Sequence, residues 1–172
     1  MKLPVTTFVD VADSPDGFAN YLQQLATAIA AGWNVEHLPD GTHGFTWTNV
    51  PFNASYFTSP TGSWTVTADN VLTFAFIRMG RLMTVSLILQ YTKVSGTPAY
   101  LEVQIPGEFV AALKMVNACS AVDNGTAGLG FLYVEPGIRS IRVARQGLAA
   151  WSDTGGVGLT IVEGQVTFEV EA

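Results

Sequence analysis

Apolar and polar residues alternate most clearly over Trp64–Tyr91, and this stretch predicts a β-hairpin in the core of the fold. The strand after the turn places four apolar side chains on one face: Val85, Leu87, Leu89 and Tyr91. Each of two shorter predicted strands before the turn places three side chains on one face. The first has Trp64, Val66 and Ala68, and the second has Leu72, Phe74 and Phe76. Met79-Gly80-Arg81 is the predicted turn, because glycine adopts the positive φ that a tight hairpin requires.

From Phe45 onward, short alternating segments are separated by turn residues at near-even spacing. The further predicted strands are Phe45–Val50, Asn53–Thr58, Tyr100–Ile105, Met115–Val122, Thr126–Glu135, Ile138–Ala144, Val157–Val162 and Gln165–Val170. The last two are expected to form a hairpin about Glu163-Gly164, and the composition also permits a helical turn within Val110–Lys114. Gly128 and Gly130 suit a strand over which another chain or a large aromatic passes closely. About nine or ten strands without βαβ units predict a mainly β fold, an antiparallel β-sandwich of jelly-roll type.

The first part of the chain predicts an extended arm followed by a short α-helix. Asp13 or Ser14 can cap this helix, and Pro15 suits its first turn. Apolar residues then recur at three- and four-residue steps, and the predicted oligomerisation residues are Phe18, Leu22, Leu25 and Ile29. A helix of about four turns is marginal alone, so it is expected to pack on the sandwich or on copies of itself. The linker Gly32–Gly44 divides the chain into residues 1–41, the arm and helix, and residues 42–172, the sandwich domain.

Composition narrows the class of protein. Of the 172 residues, 48% are hydrophobic and only 13% are charged, against roughly 25% charged in ordinary soluble domains. Such a chain is expected to bury apolar surface against copies of itself or a partner, and no apolar run approaches the length of a membrane span. The net charge of −6 argues against nucleic acid as a main partner. A single cysteine and an N-terminus without a signal-peptide pattern predict an unsecreted protein assembled in a reducing compartment.

Four segments carry a resemblance to a known group of proteins: HGFTWTNVPF (43–52), YFTSPTGSWTV (56–66), MGRLMTVSLIL (79–89) and LEVQIP (101–106). Together they resemble small bacteriophage virion proteins and tail-fibre or receptor-binding tip domains of the trimeric jelly-roll type. The resemblance covers Thr42–Pro106. It implies a homotrimer gathered by an N-terminal helix, displayed on a virion assembled in the host cytoplasm, in contact with other virion proteins, and binding a host surface glycan or protein.

Two alternatives stay open beside this reading. A head-fibre or capsid decoration protein would bind the capsid and no receptor, and a cellular carbohydrate-binding module or small glycan hydrolase would act outside a virion. The chain lacks a nucleophile elbow, an HExxH motif and the His-x-His pair by which some phage fibres hold metal ions. We therefore expect no catalysis, no metal and no cofactor. Glu36, His37, Asp40 and His43 are interpreted as a polar linker rather than a zinc site.

The candidate ligand-binding residues lie in two loops. Trp151 stands in a loop by composition, and a loop tryptophan beside Asp153 is typical of a sugar-stacking site; its alternative is an aromatic packed on a neighbour. Asn124, in the turn Asp123–Thr126, is the second candidate. Three further residues are interpreted as intersubunit ion-pair partners or contacts to an acidic glycan: Arg139, Arg142 and Arg145. Cys119, Trp47 and Trp64 are predicted to be buried.

Overall fold

A computed structural model describes residues 46–171, and these form an antiparallel sheet of ten strands. The predicted mainly β architecture is confirmed. The strands are β1 Thr48–Asn49, β2 Phe57–Thr58, β3 Ser63–Thr65, β4 Val71–Met79, β5 Leu82–Ser95, β6 Leu101–Gln104, β7 Met115–Asp123, β8 Thr126–Val134, β9 Ser140–Arg145 and β10 Thr160–Glu169. The predicted arm and helix lie outside the described part of the chain, and so does the polar linker with Glu36, His37, Asp40 and His43. The predicted oligomerisation residues Phe18, Leu22, Leu25 and Ile29 lie outside it as well.

The sheet follows the order β1-β4-β5-β10-β7-β8-β9-β6-β2, with β3 paired to β5. In the middle of this order, β10 joins β7 through three residue pairs, Ile161–Glu163 with Ser120–Val122. This junction separates a β5 half (β1, β3, β4, β5 and β10) from a β8 half (β7, β8, β9, β6 and β2). The sheet curls into a half-barrel, and both halves contribute side chains to one core.

Aromatic side chains from opposite ends of the sheet meet across this core. The Phe57 ring, on the last strand of the order, lies 5.6 Å from Trp64 in a T-shaped arrangement and 5.9 Å from Phe74. Trp64 is buried as predicted, and its Nε1 donates a hydrogen bond to Thr92 Oγ1 at 2.9 Å. The prediction for Trp47 is wrong, because this residue precedes the two-residue edge strand β1 and is 45% exposed.

The central hairpin is confirmed, but three residues predicted on its apolar faces are exposed. Ala68 is one of them, because the strand ends at Thr65 and Ala68 begins the 3₁₀ turn Ala68–Asn70. Gly80 has a φ of 59° and Arg81 a negative one, the type II′ pattern that joins Met79 to Leu82. Leu72 was expected in the core but is exposed, because the β4–β5 register shifts between Val71 and Thr73 and leaves it without a partner. Tyr91 is exposed for a similar reason, since it adopts a φ of 57° where the β5–β10 register shifts.

The predicted hairpin about Glu163-Gly164 is wrong. β10 runs without interruption through both residues, and Gly164 pairs with Leu87 on the core-facing side. A Cβ atom at Gly164 would lie 2.6 Å from the Cβ of Cys119, so the glycine permits close approach of β7. Gly130 has the same role, because its missing side chain leaves room for Cys119 and Ala121 of this chain.

Three smaller expectations also have an outcome. Asn53 caps the short 3₁₀ turn Ala54–Tyr56, so the strand predicted from Asn53 is reduced to Phe57–Thr58. No helical turn forms within Val110–Lys114; Ala111 instead forms a bridge with Val170. Cys119 is buried as predicted.

Candidate interaction surface

The loop between β9 and β10 closes one end of the core and holds the predicted ligand residue Trp151 inside. Trp151 is 0% exposed. Its backbone N–H donates to the Pro98 carbonyl at 2.8 Å, and its Nε1 donates to the Val143 carbonyl at 3.1 Å. Neither face of the indole is open to a ligand, so the sugar-stacking prediction for Trp151 is wrong and the packed alternative is what the structure shows.

Asp123 fixes this loop to the turn between β7 and β8. Its carboxylate accepts hydrogen bonds from the Ser152 N–H at 2.9 Å and the Ser152 hydroxyl at 2.7 Å, and it forms an ion pair with Arg145 Nη1 at 2.7 Å. Arg145 Nη1 also donates to the Ala150 carbonyl at 2.6 Å. The Asp123 side chain is only 5% exposed. Arg145 therefore pairs within its own chain, contrary to the expected intersubunit pair or glycan contact.

The other two predicted ligand residues have local structural roles. Asn124 and Gly125 have φ values of 47° and 81°, the type I′ turn that joins Asp123 to Thr126. The exposed Asp153 accepts hydrogen bonds from the N–H groups of Gly155 at 2.7 Å and Gly96 at 2.8 Å, and these lower its pKa. The structure brings the loop and the turn together through Asp123 and Ser152 rather than through the predicted residues.

A different surface stands out on the outer face of the β8 half. Leu148, Val116 and Leu129 are exposed by 75%, 52% and 43%. Cross-strand pairs place Val116 beside Tyr133 and Ala118 beside Phe131, and Phe131 pairs in turn with Ala144 of β9. We call these residues together the β8 surface: Val116, Ala118, Leu129, Phe131, Tyr133, Ala144 and Leu148.

A groove of about 290 Å³ crosses the β8 surface. Phe131 and Tyr133 lie two residues apart on one side of β8, so their rings face the same way. The groove is also lined by Val116, Leu148 and Ala144, and the short side chain of Ala144, the cross-strand partner of Phe131, leaves the groove open beside the Phe131 ring. Lys114 and Glu135 line its remaining edge.

The end of the groove near Tyr133 is bordered by a charged network. Arg142 Nη1 donates to Glu135 Oε2 at 2.7 Å, its Nε donates to Glu102 Oε1 at 3.1 Å, and its guanidinium lies 4.6 Å from the centre of the Tyr100 ring. Arg142, expected to pair between subunits or with a glycan, thus pairs within the chain. Arg139, the third member of that set, is exposed and forms no ion pair within residues 46–171.

Tyr133 itself keeps its proton at neutral pH. Burial raises the pKa of its phenol, and the charge and hydrogen bond of Arg142 oppose this only in part. The hydroxyl therefore donates and accepts hydrogen bonds at the edge of the groove.

No protein-family model, curated protein or solved structure matches this chain. Within residues 46–171, no helix is long and apolar enough to cross a membrane, and no three histidine, cysteine or acidic side chains are grouped as metal ligands would be. The functional reading therefore depends on the β8 surface and on the sequence resemblance.

Proposed function

We propose that this protein is a non-enzymatic bacteriophage virion protein, a homotrimer of the fibre or tip type that serves host attachment or receptor recognition. The proposal includes a jelly-roll-like sandwich preceded by an N-terminal helix that gathers the three chains. It also includes contacts with other virion proteins and a host surface glycan or protein as receptor.

The observation that carries the proposal is the exposed apolar β8 surface. Scattered apolar side chains are normal on a protein surface, but a contiguous set around a groove is typical of an interaction site. Here the set includes Val116, Leu129 and Leu148, in a chain with only 13% charged residues. A surface of this kind supports a binding or assembly protein.

Two further features support the proposal. The three-pair junction between β10 and β7 divides the sheet into halves that share one core, which is the arrangement a sandwich requires. The most buried carboxylate at the loop end, Asp123, is occupied by donors from Ser152 and Arg145, which favours a structural role over acid–base chemistry.

Light scattering on the full chain tests the oligomeric state. A trimer of 18.4 kDa chains has three times that mass, about 55 kDa, whereas a monomer throughout the micromolar range would contradict the proposal. Leu25→Asp, in the predicted helix, is expected to dissociate the trimer, and Val116→Asp, on the β8 surface, is expected to leave it intact.

A host-cell binding assay distinguishes an attachment protein from a capsid decoration protein, since only the attachment protein binds to cells. Release of reducing sugar from host glycan would contradict the non-enzymatic function.

A further inference from the structure

We propose that the groove of the β8 surface binds a neutral glycan, with a pyranose ring packed on Tyr133 and Phe131. This inference rests on the proposed attachment function and deepens it by naming the site and the ligand class. It moves the ligand site from Trp151, whose indole is buried, to the outer face of the β8 half.

The first argument is the placement of the aromatic rings. Phe131 and Tyr133 are each partly exposed, on one face of one strand, and both line the groove. A sugar ring has apolar C–H faces and a rim of hydroxyl groups, so it combines aromatic contact with polar contact at its edge. The short side chain of Ala144 leaves the space beside Phe131 that such a ring would enter.

The second argument is the charge around the groove. Lys114 and Arg142 contribute +2, and Glu102 and Glu135 contribute −2, so these four side chains have a net charge of zero. A strongly charged ligand gains no net attraction from such a rim. A neutral polyhydroxyl ligand, in contrast, uses both its donors and its acceptors, because carboxylate, ammonium and phenol groups are all within the same site.

The third argument is the rigidity of the polar groups. Arg142 is held between Glu102 and Glu135 and lies over Tyr100, so these side chains are ordered before a ligand arrives. Binding to ordered groups costs less conformational entropy than binding to mobile ones. The ammonium of Lys114 is 3.8 Å from Glu135 Oε1, a loose pair that leaves its N–H donors accessible.

The test uses the full-length protein and saturation-transfer NMR with three neutral probes, maltohexaose, cellohexaose and chitohexaose, and one acidic probe, sialyllactose. We expect at least one neutral probe to bind, and Tyr133→Ala to weaken it by about tenfold or more, because the stacking ring is lost. Tyr133→Phe retains the ring and should bind within a few-fold of the original protein. Tyr91→Ala, which removes an exposed tyrosine from the β5 half, is the matched control and should change nothing.

A second variant avoids any dependence on the folding of Tyr133→Ala. Val116→Arg fills the groove from an exposed position of its lining and should abolish binding, whereas Ala68→Arg, at an exposed alanine of the β5 half, should not. The inference is overturned if no neutral probe binds at millimolar concentration, if only sialyllactose binds, or if binding survives both Tyr133→Ala and Val116→Arg. It is also overturned if Val116→Arg dissociates the trimer, because the groove is then a subunit interface; the proposed trimer itself would stand.

Discussion

Replacing Asp123 by alanine removes the side chain that fixes the β9–β10 loop over the end of the core. Two hydrogen bonds from Ser152 and the ion pair with Arg145 are lost together. The loop carries Trp151, the largest fully buried side chain within residues 46–171, so loosening this attachment exposes core as well as backbone.

The magnitude follows from the burial of the two charges. Hydrogen bonds to a charged group contribute about 1.5–3 kcal/mol each, and breaking a buried ion pair costs about 3–5 kcal/mol. Arg145 is 29% exposed, so its guanidinium regains water when Asp123 is removed and the cost falls toward the lower limit. We expect Asp123→Ala to lower the free energy of unfolding by about 3 kcal/mol. Asp123→Asn retains one acceptor for Ser152 and should lower the free energy of unfolding by about half as much as Asp123→Ala.

Urea denaturation at one fixed protein concentration measures these differences, because an oligomer gains apparent stability with concentration. The Tm should fall by about 6–12 °C for Asp123→Ala in a chain of this length. A double-mutant cycle with Arg145→Ala should give a coupling energy of about 1–3 kcal/mol, since the two side chains are in direct contact.

The exposed Asp69 provides the control, and Asp69→Ala should stay within about 0.5 kcal/mol of the original protein. A loss below about 1 kcal/mol for Asp123→Ala, or additivity with Arg145→Ala, would refute the assignment of Asp123 as the attachment point of the loop.

Three further predictions concern the core. Gly164→Ala should cost about 1–3 kcal/mol in urea denaturation, because the new Cβ would lie 2.6 Å from Cys119 Cβ, whereas Gly128→Ala, in open space, should be nearly neutral. Burial raises the pKa of Cys119 to about 11, so its thiol should resist alkylation at pH 8, and its contribution to stability should be complete below pH 9 and lost as the pH rises toward 11. Rapid alkylation of the native protein would contradict this. Trp151→Ala should lower stability by about 3–5 kcal/mol and leave glycan binding unchanged in the fraction that remains folded; an exposed ligand residue would show the reverse.

The mainly β, antiparallel character of the fold could be predicted from the sequence because alternation and turn residues are local signals. The hairpin at Gly80, the turn at Asn124-Gly125 and the strand from Met115 each depend on a few neighbouring residues. The turn predicted at Gly164 is wrong because the reason for this glycine is not local. Its missing side chain makes room for Cys119, 45 residues earlier in the chain, and the local sequence pattern does not reveal that contact.

The site was harder to predict, because a loop tryptophan beside an aspartate has the same local pattern whether it faces solvent or the core. Trp151 faces the core because Asp123 and Pro98 hold its loop, and these residues are remote in sequence. A weaker signal did exist for the β8 surface. Val116 and Ala118 alternate with Cys119 along the strand and so lie on the opposite face, which indicates that β7 is apolar on both faces.

The two faces of β8 pose opposite physical problems. Its core-facing residues Leu132 and Val134 are buried by other strands of the same chain, so their hydrophobicity is explained by folding alone. Leu129 and Phe131 on the outer face gain nothing comparable from folding, since Leu129 stays 43% exposed. Burial of these two side chains therefore requires a partner that covers them.

A second subunit would favour an uninterrupted apolar face, but the groove ends at Arg142, Glu102 and Glu135, whose hydrogen-bonding groups need a polar partner once water is displaced. A sugar ring offers apolar C–H groups to Phe131 and hydroxyl groups to the charged side chains in one molecule. The β8 surface therefore suits a glycan better than another copy of the chain.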